Sequence, residues 1–273
     1  MTTASATAAT PSAAEGPIDL AAISGALERV LKLRNPPFSM KLYEKRADME
    51  AVEKIRRPKN VHTLDQVVGQ AARLGWTVGI TAEDLVGDQC RAVVGLGNAK
   101  TEKWMSGQHT VGVWHGTLED AGARQRALTC VPDGRYEALA VSPLASGRLG
   151  EPDIALFYAT PGAMMYFING LQWVGYKRFD WHVVGETACA DSWGRALTTR
   201  EPSLSIPCFA ERRYGGVLDD EMLMALPPRY IAKALTGMAS LAKSGLRYPF
   251  PQYGIQMDVR DGMAKSYPDR AKK

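Results

Sequence analysis

Three of the four cysteines in this chain, Cys90, Cys189 and Cys208, fall where a thiol could do chemistry. Cys90 closes the run Gly87-Asp88-Gln89-Cys90, and Cys189 closes Gly185-Glu186-Thr187-Ala188-Cys189. Each run reads as a glycine turn entering a helix. That would set the sulfur near unpaired backbone N–H groups and the positive end of the helix dipole, which favour thiolate over thiol. Cys208, in Ser205-Ile206-Pro207-Cys208, follows a short apolar stretch where a strand would end. Thiolates are both nucleophiles and soft metal ligands, so a fold that gathers these positions builds a reactive or a ligating site. The ordinary role of a free cysteine is inert packing. These three differ in lying at turns and helix starts rather than in a periodic apolar stripe; Cys130 has no such setting.

Carboxylates accompany the turns: Asp65, Glu83, Asp84, Asp88, Glu186 and Asp191. Helix capping and dipole matching account for acidic residues in a first turn without any catalytic role. Lys41, on a strand candidate, and Arg212-Arg213, just after Cys208, are candidates to hold an anionic group. Residues 97–117 are glycine-rich and carry Trp104, Met105, His109, Trp114 and His115. A segment of that length without periodicity reads as functional or mobile. Its histidines are candidate lid or proton-transfer groups, and Trp104 and Trp114 a candidate wall for an aromatic ring. Met164, Met165, Met222 and Met224 read as core filler.

The elements that must position these residues follow from apolar spacing. Helices are predicted over Ile18–Leu33, Thr63–Leu74 (capped by Thr63 or Asp65 and ended by Gly75), Glu119–Leu128, Pro161–Leu171, the Cys189 segment through Leu197, and Pro228–Leu241. Strands are predicted over Phe38–Tyr43, Trp76–Ile80, Tyr136–Val141, Asp153–Ala159, Trp181–Val184, Ser203–Ile206 and Glu221–Leu226. Glu44–Asn60 reads as a charged connection. The alternation implies an α/β or α+β class: a single mixed-sheet globular domain with flanking helices over 18–242. A disordered tail is expected over 1–17 and a polar C-terminal extension, wrapping or loose, over 243–273.

Composition narrows function by exclusion. A chain of 273 residues, 45% hydrophobic and 23% charged, can bury a sizeable core. The formal charge is +4, and the densest basic run, Lys54–Lys59, is not interleaved with stacking aromatics, so nucleic acid is not an expected partner. No stretch approaches the length of a membrane span, and the Ala/Ser/Thr-rich N-terminus lacks the marks of a secretory signal. The expected compartment is the reducing cytoplasm, without structural disulfides. There is no Cys-x-x-Cys pair, Walker loop, complete dinucleotide fingerprint, Gly-x-Ser-x-Gly elbow or His-Glu-x-x-His.

In order along the chain, several short segments resemble the uncharacterised ArCR family, domain of unknown function 169. They are Pro37-Phe38-Ser39-Met40-Lys41, Asp65-Gln66-Val67-Val68, Ala82-Glu83-Asp84 followed by Cys90, and Glu151-Pro152-Asp153-Ile154. Further on come Thr160-Pro161-Gly162-Ala163-Met164, Cys189-Ala190-Asp191, Ser203–Cys208, and Glu221 with Pro227. The likeness runs from about Leu20 to Ser240. It implies a family site with four cysteines, of which Cys90, Cys189 and Cys208 persist here while Asp65 stands at the fourth position and Cys130 lies outside the pattern. Four thiolates suit an iron–sulfur cluster or a metal such as zinc; three with the Asp65 carboxylate form a related set. Glu83 and Asp191, each beside a family cysteine, are the acid/base candidates. The expectation is a cytoplasmic enzyme acting on a small molecule, carboxylated or aromatic, at a cysteine-lined site. The alternatives are a non-catalytic small-molecule sensor and an accessory protein of a catabolic or cofactor pathway.

Overall fold

The computed structural model describes residues 17–256 except Tyr253. Most of the predicted N-terminal tail, and the end of the C-terminal extension beyond residue 256, lie outside the described residues.

Six strands form one open sheet: β1 (Phe38–Tyr43), β2 (Val78–Thr81), β3 (Ala138–Pro143), β4 (Ile154–Ala159), β5 (Ser203–Ser205) and β6 (Met222–Leu226), in the order β2-β3-β1-β4-β6-β5. The mixed α/β single-domain class is the one the alternation of elements predicts. All five ladders between the strands are antiparallel; parallel pairing is confined to isolated bridges such as Arg56 with Val78. Strands β4 and β6 read as unbroken apolar runs because both sheet faces are covered there. On β4, Ile154, Leu156 and Tyr158 enter one core and Ala155, Phe157 and Ala159 the other.

The second of these cores is closed by α1 (Leu20–Leu31), α7 (Pro161–Gln172) and α10 (Arg229–Lys243). Their apolar residues recur at helical spacing, as in Ile231, Ala234, Met238 and Leu241. The helices α7 and α10 approach so closely that a Cβ on Gly237 would stand 2.1 Å from the Gly170 carbonyl oxygen. The extension after α10 wraps this layer as far as it is described. Leu246, Tyr248 and Phe250 pack on it, and the Tyr166 hydroxyl donates to the Leu246 carbonyl at 2.9 Å.

The other face carries α3 (Leu64–Leu74), α4 (Asp88–Val94) and α8 (Trp193–Thr199). Thr63 caps α3: its side chain accepts from Gln66 N, and Gln66 answers with a hydrogen bond from Thr63 N. Asp65, freed from capping, turns into the core and is 2% exposed.

Several elements depart from the sequence reading. Trp181–Val184 is not a strand: among the described residues no ladder partner reaches it. The Val184 amide donates instead to Asp191 Oδ2 at 2.8 Å, and the Trp181 indole Nε1 donates to Pro202 O at 3.2 Å. Helix α2 (Arg46–Glu50) interrupts the predicted connection after β1. The 97–117 segment is partly packed: it contains α5 (Glu102–Met105), and Trp104 is buried against Ala92 and Ala99. Cys189 lies in an isolated 3₁₀ turn, Ala188–Ala190, ahead of α8 rather than within a helix. The short helix α9 (Phe209–Arg213), capped at Cys208, is unforeseen. The prediction over Glu119–Leu128 holds as α6 (Leu118–Ala127). Among the described residues no helix is long and apolar enough to cross a membrane.

Candidate functional site: a cysteine-lined cavity

The positions singled out by cysteine chemistry converge from segments far apart in the chain. Asp65 comes from the first turn of α3, Cys90 from α4, Cys189 from the turn before α8, and Cys208 from the cap of α9. Cys90 Sγ donates to Asp65 Oδ2 at 3.7 Å and lies 3.6 Å from Cys189 Sγ. Asp65, Cys90 and Cys208 line one cavity of about 260 Å³, and Cys189, fully buried, stands behind Cys90. The rings of Trp114 and Phe209, 5.7 Å apart and tilted at 56°, line the same cavity with Tyr214. Its charged wall carries Asp65 and Glu186, the latter paired with Arg124, and among the described residues no lysine or arginine lines it. A larger hollow of about 370 Å³, between Phe179, Trp181 and β5, lies away from the cysteines.

Two backbone features shape the cavity. Gly87, which bends the chain into α4, has φ +85°, a region a side chain rarely tolerates. Thr187, on the cavity wall, has φ +57°, a strained state for a β-branched residue; its hydroxyl donates to Glu186 Oε1 at 2.7 Å.

The electrostatics reverse the expectation that helix starts would favour thiolate here. At Cys90 the hydrogen bond with Cys189 pulls the thiol down, but burial and the charges of Asp65 and Glu211 outweigh it, so the net shift is upward. Cys189 is pushed well above the ordinary thiol range by its hydrogen bond with Cys90, by burial and by the charge at Cys90. Burial first, then the Glu211 charge, raise Cys208. Cys130 is pushed up to about 11 by burial. Desolvation and neighbouring anions therefore win over any dipole term, and at neutral pH the thiols rest protonated. Burial also raises Asp65 to about 6. It raises Glu211 to about 8, with the Asp65 charge adding to the effect.

The other predicted residues are dispersed. Glu83 is exposed in a 3₁₀ turn with Arg46 as an electrostatic neighbour. Asp191 is occupied by the Val184 amide, and burial raises its carboxyl. Lys41 donates to Leu149 O at 3.1 Å, and Arg212 spends its guanidinium on the carbonyls of Pro207 and Leu218. His109 Nε2 lies 3.8 Å from the Asp88 carboxylate, and the His115 carbonyl accepts from Gly112 N at 2.8 Å. Of the aromatic pair, Trp114 lines the cavity and Trp104 does not. The proposed metal set, Cys90, Cys189, Cys208 and Asp65, is drawn together. Even so, among the described residues no group of three or more Cys, His, Asp or Glu has the spacing to hold a metal ion.

Two residues escaped the sequence reading. Glu211 accepts from Cys208 N at 2.9 Å through Oε2, while its buried Oε1 has no partner among the described residues. The Cys208-x-x-Glu211 spacing, that of a capping box, could have revealed it. Arg124, on α6, pairs with the Glu186 carboxylate, donates to Glu186 O at 2.6 Å and is a cation within electrostatic reach of all four cysteines. Nothing local in the sequence marks it, because its role depends on Glu186, 62 residues away.

Comparison with known proteins yields no solved structure that matches the chain. An uncharacterised protein of Methanocaldococcus jannaschii is 24% identical over 116 residues, covering 41% of this chain and 49% of that protein, so the chain spans about half the length of this curated relative. The model of the uncharacterised ArCR family, domain of unknown function 169, matches residues 26–237, and the chain belongs to that family.

Proposed function

We propose that this protein is an enzyme acting on a small, ring-bearing molecule admitted to the cysteine-lined cavity, with Cys90 as the thiol that meets it. The observation that supports this reading is the Cys90–Asp65 pair on the cavity wall, a thiol with a carboxylate acceptor 3.7 Å from its sulfur. Asp65, at about 6, is ionised at neutral pH and accepts that proton as Cys90 bonds to an electrophilic atom. The thiol is neutral at rest, so the reaction waits for a bound molecule. Trp114, Phe209 and Tyr214 offer ring faces to the ligand. The Asp65 carboxylate on the wall favours a neutral or cationic molecule over a carboxylate. The reading fits a cytoplasmic, reducing compartment, where these thiols stay free.

The test begins with anaerobic purification and an absorption spectrum and metal analysis on one sample. A colourless, metal-free protein is expected. Stoichiometric metal or a brown chromophore would replace this reading with one in which the thiols are ligands. A thermal-shift screen of small aromatic compounds on the same protein should then yield a stabilising ligand that slows iodoacetamide labelling of Cys90 at least tenfold. Cys90→Ser should keep the ligand-induced stabilisation and lose turnover. Unslowed labelling at saturating ligand, or turnover retained in C90S, would sink the assignment.

A further inference from the structure

We infer that Cys90 and Cys189 form a dithiol–disulfide couple in which Cys90 attacks and Cys189 resolves, with a small-molecule disulfide as the oxidant. The inference rests on the reading of Cys90 as the reactive thiol and adds the reaction class.

Three observations carry it. The two sulfurs are already in contact at 3.6 Å, although 99 residues separate them. A disulfide bond is about 2 Å long, so a closing of about 1.6 Å joins them. The pair is also asymmetric in access, as such a couple requires: Cys90 borders the cavity, while Cys189 is fully buried behind it. A reagent in the cavity therefore meets Cys90 first, and Cys189 is placed to attack whatever bond Cys90 has formed. Finally, Asp65 Oδ2 is the acceptor for the Cys90 thiol proton, so the attacking sulfur has a base of its own.

The chemistry balances in two steps. Cys90 sulfur, its proton passing to Asp65, attacks one sulfur of R–S–S–R; a Cys90–S–S–R bond forms, the R–S–S–R bond breaks, and R–S⁻ leaves and takes up that proton. Cys189 sulfur then attacks Cys90 sulfur, the mixed disulfide breaks, and the second R–S⁻ leaves with the Cys189 proton. In sum, two protein thiols are oxidised to one disulfide and one small-molecule disulfide is reduced to two thiols. The raised thiols make the couple slow in isolation at neutral pH and faster as the pH rises, since the thiolate is the attacking form.

The experiment uses the full chain, reduced, freed of reductant without oxygen, and exposed to cystamine, a small cationic disulfide suited to a cavity with the Asp65 carboxylate on its wall. Wild type is expected to lose two hydrogens in mass, to lose two free thiols, and to give a digest peptide joining Cys90 to Cys189. Cys189→Ser should stop at a cysteamine adduct on Cys90, and Cys90→Ser should leave Cys189 unmodified. A wild-type protein that accumulates the Cys90 adduct without the joined peptide would overturn the couple while leaving Cys90 as the reactive thiol. No modification of Cys90 by cystamine at any pH up to 9 would overturn the couple; a Cys90 that iodoacetamide also fails to label would overturn both. The wild-type measurement stands by itself should either variant fail to fold.

Discussion

Raising the pH from about 4 to about 8 should lower the unfolding free energy of this protein by several kcal/mol, and Glu211→Gln should remove much of that fall. Two buried acids at the cavity are responsible. Asp65 rises from 3.8 to about 6 and Glu211 from 4.5 to about 8, in both cases chiefly because burial disfavours the charged form. An acid whose folded pKa lies above its unfolded one contributes stability that is full below the unfolded value and lost as pH climbs through the folded value. For Asp65 alone the change is worth on the order of 3 kcal/mol. The buried thiols extend the decline into more alkaline conditions, since their folded values are raised as well. Glutamine at 211 mimics the protonated acid and keeps an oxygen to accept from Cys208 N. Denaturant titrations at pH 5 and pH 8 measure the effect. Equal stability at both pH values in wild type, or an undiminished fall in Glu211→Gln, would show that these carboxyls do not bear the cost assigned to them.

Gly194→Ala is expected to destabilise the protein by about 3 kcal/mol, at the upper end of the range for overpacking. Gly194 lies in α8, and a Cβ there would stand 2.2 Å from the Thr129 carbonyl oxygen and 3.0 Å from a Val93 methyl. A backbone atom cannot rotate aside, so α8 must move, with fully buried Trp193 beside it. For a domain of this size that loss lowers the melting temperature by roughly 6–12 °C. The turn carrying Cys189 directly precedes α8. The displacement should therefore also reduce the yield of the Cys90–Cys189 peptide after cystamine. Gly25→Ala is the control, because its Cβ would meet only the far end of the Arg29 side chain at 3.2 Å. Higher helix propensity should make that variant more stable by up to about 1 kcal/mol. A Gly194→Ala protein that melts with wild type would refute the packing argument.

Much of the fold was legible because period reports burial. The spacing in α7 and α10, and the unbroken apolar run of β4, reflect one-sided and two-sided burial directly. The misreading of Trp181–Val184 has the same origin. Its residue types suit a strand, but a strand needs a neighbour; among the described residues none pairs with it, and the Asp191 carboxylate takes the Val184 amide. Thr63 and Asp65 were equivalent as caps on composition alone. Tertiary burial separated them, leaving Thr63 on the helix end and Asp65 beside Cys90.

The candidate site divides along the same line. Residue type and local spacing by themselves singled out Cys90, Cys189 and Cys208 as candidates and determined that a single mixed α/β domain would carry them. Only the tertiary structure decided that Cys90 and Cys189 touch and that Glu211 and Arg124 belong with them, while Glu83, Lys41 and Arg212 do not line the cavity. It also decided that the thiols rest protonated. A local motif carries the dipole of its own turn. The desolvation and neighbouring charge that outweigh that dipole come from segments distant in sequence and adjacent only once the sheet and its helices have formed.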